Sequence, residues 1–263
     1  MRKDAIGVFD SGVGGLSIWR EIRRLLPREN TVYVADQKHL PYGEKSDEEI
    51  RGRSEKITKY LLDQGCSLIV VACNSATVSA LAQLRSQFSI PFVGVEPAVK
   101  PAARKSKTGE ITILATTKTA TSKRQRSLLE QHANSVKVNL LAAPEFVELV
   151  EKGEIDTPRA SRRIAAFLRS HNLGKSDVFV LGCTHYIFLK DTIRNALPDH
   201  VTIIEPSRAI AKRVESIRKN QVRKTQQKPG KQRFMTTANV VRFTNVAQKL
   251  IGGAIESAGK LEV

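Results

Sequence analysis

The sequence predicts an α/β protein built as two similar domains, each around a mainly parallel sheet. Three observations carry that reading. Short, near-continuous apolar runs alternate with stretches of helical period, the pattern of βαβ units whose sheets are covered on both faces. The alternation runs through one series and then through a second, although no close residue-level repeat links them. Two of the strand-like runs also end alike. "LIVVACNSAT" (68–77) reaches Cys73, Asn74 and Ser75, and "VFVLGCTHY" (178–186) reaches Gly182, Cys183, Thr184 and His185.

In chain order, "AIGVFD" reads as a strand, and "LSIWREIRRLL" as a helix, because Leu16, Trp19, Ile22 and Leu26 recur near helical spacing. "TVYVAD" is a second strand. "DEEIRGRSEKITKYLLDQG" is a helix ended by Gly65. "SLIVVAC" is a buried strand, "ATVSALAQLRSQF" its following helix, and "PFVGV" another strand. The second series contains the strands "EITILAT", "VKVNLLAA", "DVFVLGC" and "VTIIEP". Its helices are "TSKRQRSLLEQHA", "EFVELVEKG", "RASRRIAAFLRS" and "FLKDTIRNAL". "RKNQVRKTQQKPGKQR" (218–233) reads as a loop or connection. "FMTTANVVRFTNVAQKLIG" (234–252) regains helical spacing and returns the chain to the first domain.

The 263 residues are enough for two modest domains with real cores, and 41% hydrophobic with 26% charged residues is ordinary for a globular protein. No apolar run approaches the roughly 20 residues of a membrane helix. No long apolar signal core precedes the first strand, so a cytoplasmic location is expected. The net charge of +17 is unusual and clustered. Arg104, Lys105, Lys107, Lys118, Lys123 and Arg124 lie between Lys100 and Arg126 against the single acid Glu110. Lys212, Arg213, Arg218, Lys219, Arg223, Lys224, Lys228 and Lys231 lie between Arg208 and Arg233 against Glu215 alone. Such clusters suit nucleic acid or a plain solvated surface. Few aromatics interleave them to stack bases, and a solvated surface is the expectation.

"FDSGVGG" (9–15) follows the first strand and opens the first helix. Its glycines could cradle a phosphate, but they lack the Lys-Ser/Thr of a P-loop and the spacing of a dinucleotide fingerprint, so a tight turn explains them equally. Asp10 and Ser11 sit at the strand's carboxyl end, where open α/β sheets bind ligands. Of the three cysteines, Cys66 precedes its strand and reads as a small buried hydrophobe. Cys73 and Cys183 match each other in context. No CxxC-type spacing accompanies them, so a zinc site is not expected, and three cysteines make no disulfide framework. A lone thiol could be a nucleophile beside a base. A pair suits a different task, in which one thiolate removes a proton from a carbon acid and the opposing thiol returns one. A thiol pKa near 8.5 keeps both protonation states accessible near neutrality.

"FDSGVGGLS", "YVADQKHLPYG", "VVACNSAT", "GVEPAVKPA", "LGCTHY" and "RFMTTANVVRF", in this order over nearly the whole chain, resemble the cofactor-independent glutamate racemases. The resemblance implies two Rossmann-like domains facing each other across an active-site cleft. The first is expected to span 1–97 plus 208–263, and the second 98–207. It implies that Cys73 deprotonates D-glutamate and Cys183 L-glutamate, with Asp10 assisting the first and His185 and Glu151 the second. Asp10, Ser11, Pro41, Tyr42, Gly43, Asn74, Ser75 and Thr184 match positions that hold the substrate's ammonium and carboxylates. Two positions depart from the family pattern. Ser75 stands where Thr is usual, keeping the hydroxyl, and Ala143 stands where a non-catalytic cysteine is usual. Read from their sequence context alone, Glu151 on a charged helix is a solvated residue and Tyr42 a turn aromatic. The resemblance further implies no cofactor or metal, a homodimer, and a role in supplying D-glutamate for peptidoglycan. Aspartate racemization is the rival enzymatic reading, and a nucleic-acid- or topoisomerase-binding role the rival of another class.

Overall fold

The computed structural model describes residues 4–220, 228–253, 255 and 257–263. The chain forms two compact units, Met1–Val95 with Ser207–Val263, and Glu96–Pro206. Glu96 and Pro97 thus go with the second unit and Ser207 with the first.

The first unit is built from β1 (Ala5–Asp10), α1 (Leu16–Leu25), β2 (Thr31–Ala35), α2 (Asp47–Asp63), β3 (Cys66–Val71), α3 (Asn74–Gln87) and β4 (Phe92–Gly94). The second follows with α4 (Val99–Lys105), β5 (Glu110–Ala115), α5 (Thr117–Thr121), α6 (Lys123–His132), β6 (Lys137–Ala142), α7 (Glu145–Glu151), α8 (Pro158–Ser170), β7 (Val178–Leu181), α9 (Lys190–Ala196) and β8 (Thr202–Ile204). The chain then returns to the first unit with α10 (Ser207–Lys219), β9 (Gln232–Thr236), α11 (Val240–Ile251) and β10 (Gly259–Lys260). Every strand pairing is parallel, as the alternation predicts. Among the described residues, no helix is long and apolar enough to cross a membrane.

The strand orders are β10-β9-β2-β1-β3-β4 and β6-β5-β7-β8. The strands β2-β1-β3-β4 of the first sheet and the whole of the second therefore share one topology. In each, the chain builds outward from a central strand to one side and then crosses to the other. The reversal falls between β1 and β3 in one unit and between β5 and β7 in the other, and such switch points are where open α/β sheets bind ligands. The central strands β1, β3, β5 and β7 are buried nearly throughout, which requires continuous apolar runs rather than alternation.

Local chemistry sets several boundaries. Ser46 and Glu49 close a capping box on α2, and three acids occupy its first turn. Pro158 opens α8 behind the Thr157 cap, and Gly252 ends α11 in the left-handed region at φ 70°. Two expectations need correction, and one short helix was not expected. "TSKRQRSLLEQHA" forms a helix, α6, capped by Ser122, whose Oγ accepts from the Gln125 amide at 3.0 Å, but α5 precedes it where the sequence suggested none. The tail is not helical throughout, because Gln232–Thr236 pairs with β2 as β9. Arg218 is not solvated. It is 1% exposed, and its guanidinium donates to Asp4 Oδ1 at 2.7 Å and Ser67 Oγ at 2.9 Å, with Glu29 at 3.6 Å. Those two acids supply the countercharge a buried cation requires. Arg208, Lys212, Arg213, Lys219, Lys228 and Lys231 are exposed, whereas Arg223 and Lys224 lie outside the described residues.

Candidate active site

In the first unit, Cys73 lies two residues past the end of β3 and caps α3, its Sγ accepting from the Ala76 amide at 3.5 Å. A helix N-terminus favours negative charge at that sulfur. Phe9 of β1 pairs with Val71 of β3, so the residues two beyond each, Ser11 and Cys73, are lateral neighbours. The Cys73 thiol donates to Ser11 Oγ at 3.8 Å, and Ser11 Oγ donates to Asp10 Oδ1 at 3.1 Å. All three are buried, Asp10 completely. Gly15 is required here, because a Cβ on it would lie 2.8 Å from Asp10 Cβ and 3.0 Å from Ala72 Cβ. Gly12 is anchored by its carbonyl, which accepts from the Tyr33 hydroxyl at 2.7 Å. The glycine loop thus serves close packing under Asp10. Asn74 is buried, its amide nitrogen donating to the Val95 carbonyl at 3.3 Å, and its Oδ1 has no partner among the described residues. Ser75 is buried next to it.

Pro41, Tyr42 and Gly43 lie between β2 and α2, Tyr42 and Gly43 within a 3-10 turn, Tyr42–Glu44, that packs on α3. Tyr42 is 1% exposed and belongs to the same apolar cluster as Cys73. Burial, the neighbouring Asp36 carboxylate and the charge of Cys73 all hold its phenol well above the usual value.

In the second unit, Cys183 stands to β7 as Cys73 stands to β3, two residues past the strand's end. A Cβ on Gly182 would approach the Leu114 carbonyl oxygen to 2.9 Å, so only glycine lets β7 turn so close to β5. Cys183 Sγ lies 3.9 Å from His185 Nδ1, and His185 Nε2 lies 2.7 Å from Glu151 Oε1. Cys183, Thr184, His185 and Glu151 are each no more than 6% exposed. Glu151 is therefore not a solvated helix residue. It is the last residue of α7, carried to His185 by the packing of that helix on the 3-10 turn His185–Leu189. The turn is anchored by Tyr186, whose hydroxyl donates to the Ala143 carbonyl at 2.7 Å. Burial and the charge of Cys183 push the Tyr186 phenol well up, so it stays neutral.

Sequence reasoning named no residue at the tip of β5. Leu114 pairs with Leu181, so Thr116 stands beside Cys183 as Ser11 stands beside Cys73. Thr116 is 6% exposed and caps α5, donating to Thr119 Oγ1 at 3.1 Å. The legible signal was a hydroxyl directly after a strand, in "ILATT".

Residues 6–214 match the Asp/Glu/Hydantoin racemase family. The chain is 41% identical over 248 residues to a glutamate racemase of Ectopseudomonas mendocina, covering 94% of each chain. It is 40% identical over 260 residues to a glutamate racemase of Pseudomonas aeruginosa, covering 98% of each. Its structure superposes with a TM-score of 0.90 on the crystal structure of Escherichia coli glutamate racemase in complex with L-glutamate and the activator UDP-MurNAc-ala, at 32% identity, covering 100% of this chain and 99% of that one. With near-complete coverage on both sides and two like-built switch points each carrying a thiol, the chain belongs to the Asp/Glu/Hydantoin racemase family.

Proposed function

We propose that the protein is a glutamate racemase that inverts Cα by two-base proton transfer between Cys73 and Cys183. The observation that carries the reading is that each thiol occupies the same station at its sheet's switch point, with its own buried polar partners. From D-glutamate, the Cys73 thiolate takes the α-proton while Cys183 delivers one to the other face, and the roles reverse from L-glutamate. Ser11 and Asp10 orient the first thiol. Glu151 orients His185, which takes up and returns the proton of the second. A thiolate is a weak base for an amino-acid α-proton, so the carbanion has to be stabilised as it forms. Fixed hydrogen bonds to the α-carboxylate serve that purpose. Asn74, Ser75, Thr184 and the Pro41–Gly43 backbone are the candidates for the substrate's carboxylates and ammonium, and the unpartnered Asn74 Oδ1 is a ready acceptor for an ammonium N–H.

Glutamate rather than aspartate is favoured because near-full-length relatives at about 40% identity are glutamate racemases. The product would supply D-glutamate for peptidoglycan, in the cytoplasm, from a homodimer that needs no cofactor. The deciding experiment is polarimetry of the pure protein with each enantiomer of glutamate and aspartate. Rotation decaying to zero from both glutamate enantiomers is expected, with aspartate inert. Decay with aspartate alone would overturn the substrate assignment.

A further inference from the structure

We propose that Asp36 is a positioning residue for the Cys73 half-site. Its carboxylate holds the Tyr42 phenol, and through that ring the Pro41–Gly43 backbone against α3, while Arg53 supplies the compensating charge. The inference rests on the reading that this backbone contacts substrate.

Asp36 follows β2 directly and is completely buried. Its carboxylate accepts five hydrogen bonds. Arg53 of α2 donates Nε to Oδ2 and Nη2 to Oδ1, both at 2.9 Å; Tyr42 donates its hydroxyl to Oδ2 at 2.5 Å; Thr237, just past β9, donates to Oδ1 at 2.9 Å; and His39 Nδ1 lies 3.0 Å from Oδ1. The Asp36 amide donates to the Asp10 carbonyl at 2.9 Å, tying the same residue to the tip of β1. Arg53 is fixed in turn by donating Nη1 to the Val263 carbonyl oxygen at 2.6 Å. Burial raises the Asp36 carboxyl, but the bonds from Arg53, Tyr42 and His39 and the charge of Arg53 outweigh it, so it remains a carboxylate.

The segment held in this way has little backbone support. Within 36–45 the backbone bonds run from His39 to Asp36, Leu40 to Gln37, Glu44 to Pro41 and Lys45 to Tyr42, each closing a local four-residue turn. Its place against α3 therefore depends on side chains, and the short charge-assisted bond from Tyr42 is the one that reaches the apolar cluster containing Cys73. A buried ion pair is weak support for stability, since well-packed apolar groups can replace it without loss. What apolar groups could not do is hold a phenol in one direction.

The test measures iodoacetamide alkylation of Cys73, Cys66 and Cys183 by peptide mass, together with kcat and KM for glutamate. The proteins are the wild type and Asp36→Asn, Tyr42→Phe, Asp36→Asn/Tyr42→Phe and Arg53→Lys. In Asp36→Asn, alkylation of Cys73 is expected to rise at least about fivefold with Cys66 and Cys183 within about twofold, and KM to rise about tenfold with kcat within about threefold. Tyr42→Phe changes no charge at neutral pH, so an increase there reports access to Cys73 alone. The double variant is expected to match Asp36→Asn, because both substitutions break one connection. Arg53→Lys keeps the countercharge and is expected to retain most of the KM. Equal acceleration at all three cysteines, or unchanged Cys73 reactivity with unchanged KM, would overturn the proposal. If the wild type fails to racemize glutamate, the substrate reading is lost, but the alkylation pattern still decides the role of Asp36.

Discussion

A thiol at a switch point is ordinary until its partners are known, and the partners of the two thiols differ. Cys73 has a hydroxyl and a carboxylate behind it, whereas Cys183 has an imidazole held by a carboxylate. If each serves one face of Cα, neither Cys73→Ser nor Cys183→Ser should racemize, because a serine hydroxyl is far too weak an acid to replace a thiol. Each variant keeps one working base, however. With β-chloroalanine, proton removal expels chloride and needs no proton return. Cys73→Ser should then release chloride only from the L-enantiomer and Cys183→Ser only from the D-enantiomer, each at a measurable fraction of the wild-type rate. Equal processing of both enantiomers by both variants would replace the two-base mechanism with a single swivelling base. The cysteines, Asp10, Ser11 and His185 were legible because strand tips announce themselves by an apolar run ending in polar residues. Asp36 and Thr116 were not singled out. A lone acid or hydroxyl after a strand shows nothing of the Arg53, Tyr42 and Thr237 that the fold brings to Asp36 from elsewhere in the chain.

At the scale of elements, hydrophobic period located the central strands and the long helices, and it failed where polarity hid a boundary. "TTKTATS" has no apolar period, so the short helix α5 was not legible, although the start of α6 at Ser122 was. β9 was absorbed into a helical tail because only its pairing with β2, some 200 residues earlier in the chain, makes it a strand. Single side chains also fasten strands to loops. Asp177, just before β7, accepts from Ser106 Oγ and the Lys107 amide, both at 2.6 Å, and from Thr108. Partial burial raises its carboxyl, but these hydrogen bonds prevail and lower it to about 2. A depressed folded pKa gives stability that is complete above the unfolded value, about 3.9, and is lost as pH falls through the folded value. Asp177→Asn should therefore lower the Tm at pH 7 and narrow its gap from wild type between pH 4 and pH 2. A gap that stays constant down to pH 2 would show that the side chain's shape, and not its charge, matters there.

For the molecule as a whole, the net charge of +17 gathers in the two basic stretches 100–126 and 208–233; in the second, Arg208, Lys212, Arg213, Lys219, Lys228 and Lys231 are exposed and Arg218 is buried. Charge of that kind acts at long range and is screened by salt. Replacing Lys228 and Lys231 with Gln, together with Lys224 outside the described residues, should leave kcat within about twofold, as surface substitutions remote from the chemistry do. A large fall would place this segment in the path of a dianionic substrate. The two units share a strand order but not a set of polar helpers, and that asymmetry meets a thermodynamic constraint. Enantiomers have equal free energy in water, so the equilibrium constant is one, and detailed balance forces kcat/KM to be identical in the two directions for every variant. His185→Asn, although it strips only one thiol of its partner, must lower kcat/KM for both enantiomers by one common factor, on the order of a hundredfold for loss of a proton-transfer group. The lopsidedness of the two halves can surface only in kcat and KM taken separately and in isotope effects. With α-deuterated glutamate, the primary effect should grow in the direction that begins at Cys183 and shrink toward one in the other, so that a symmetric reaction run by unlike halves betrays which half is slow.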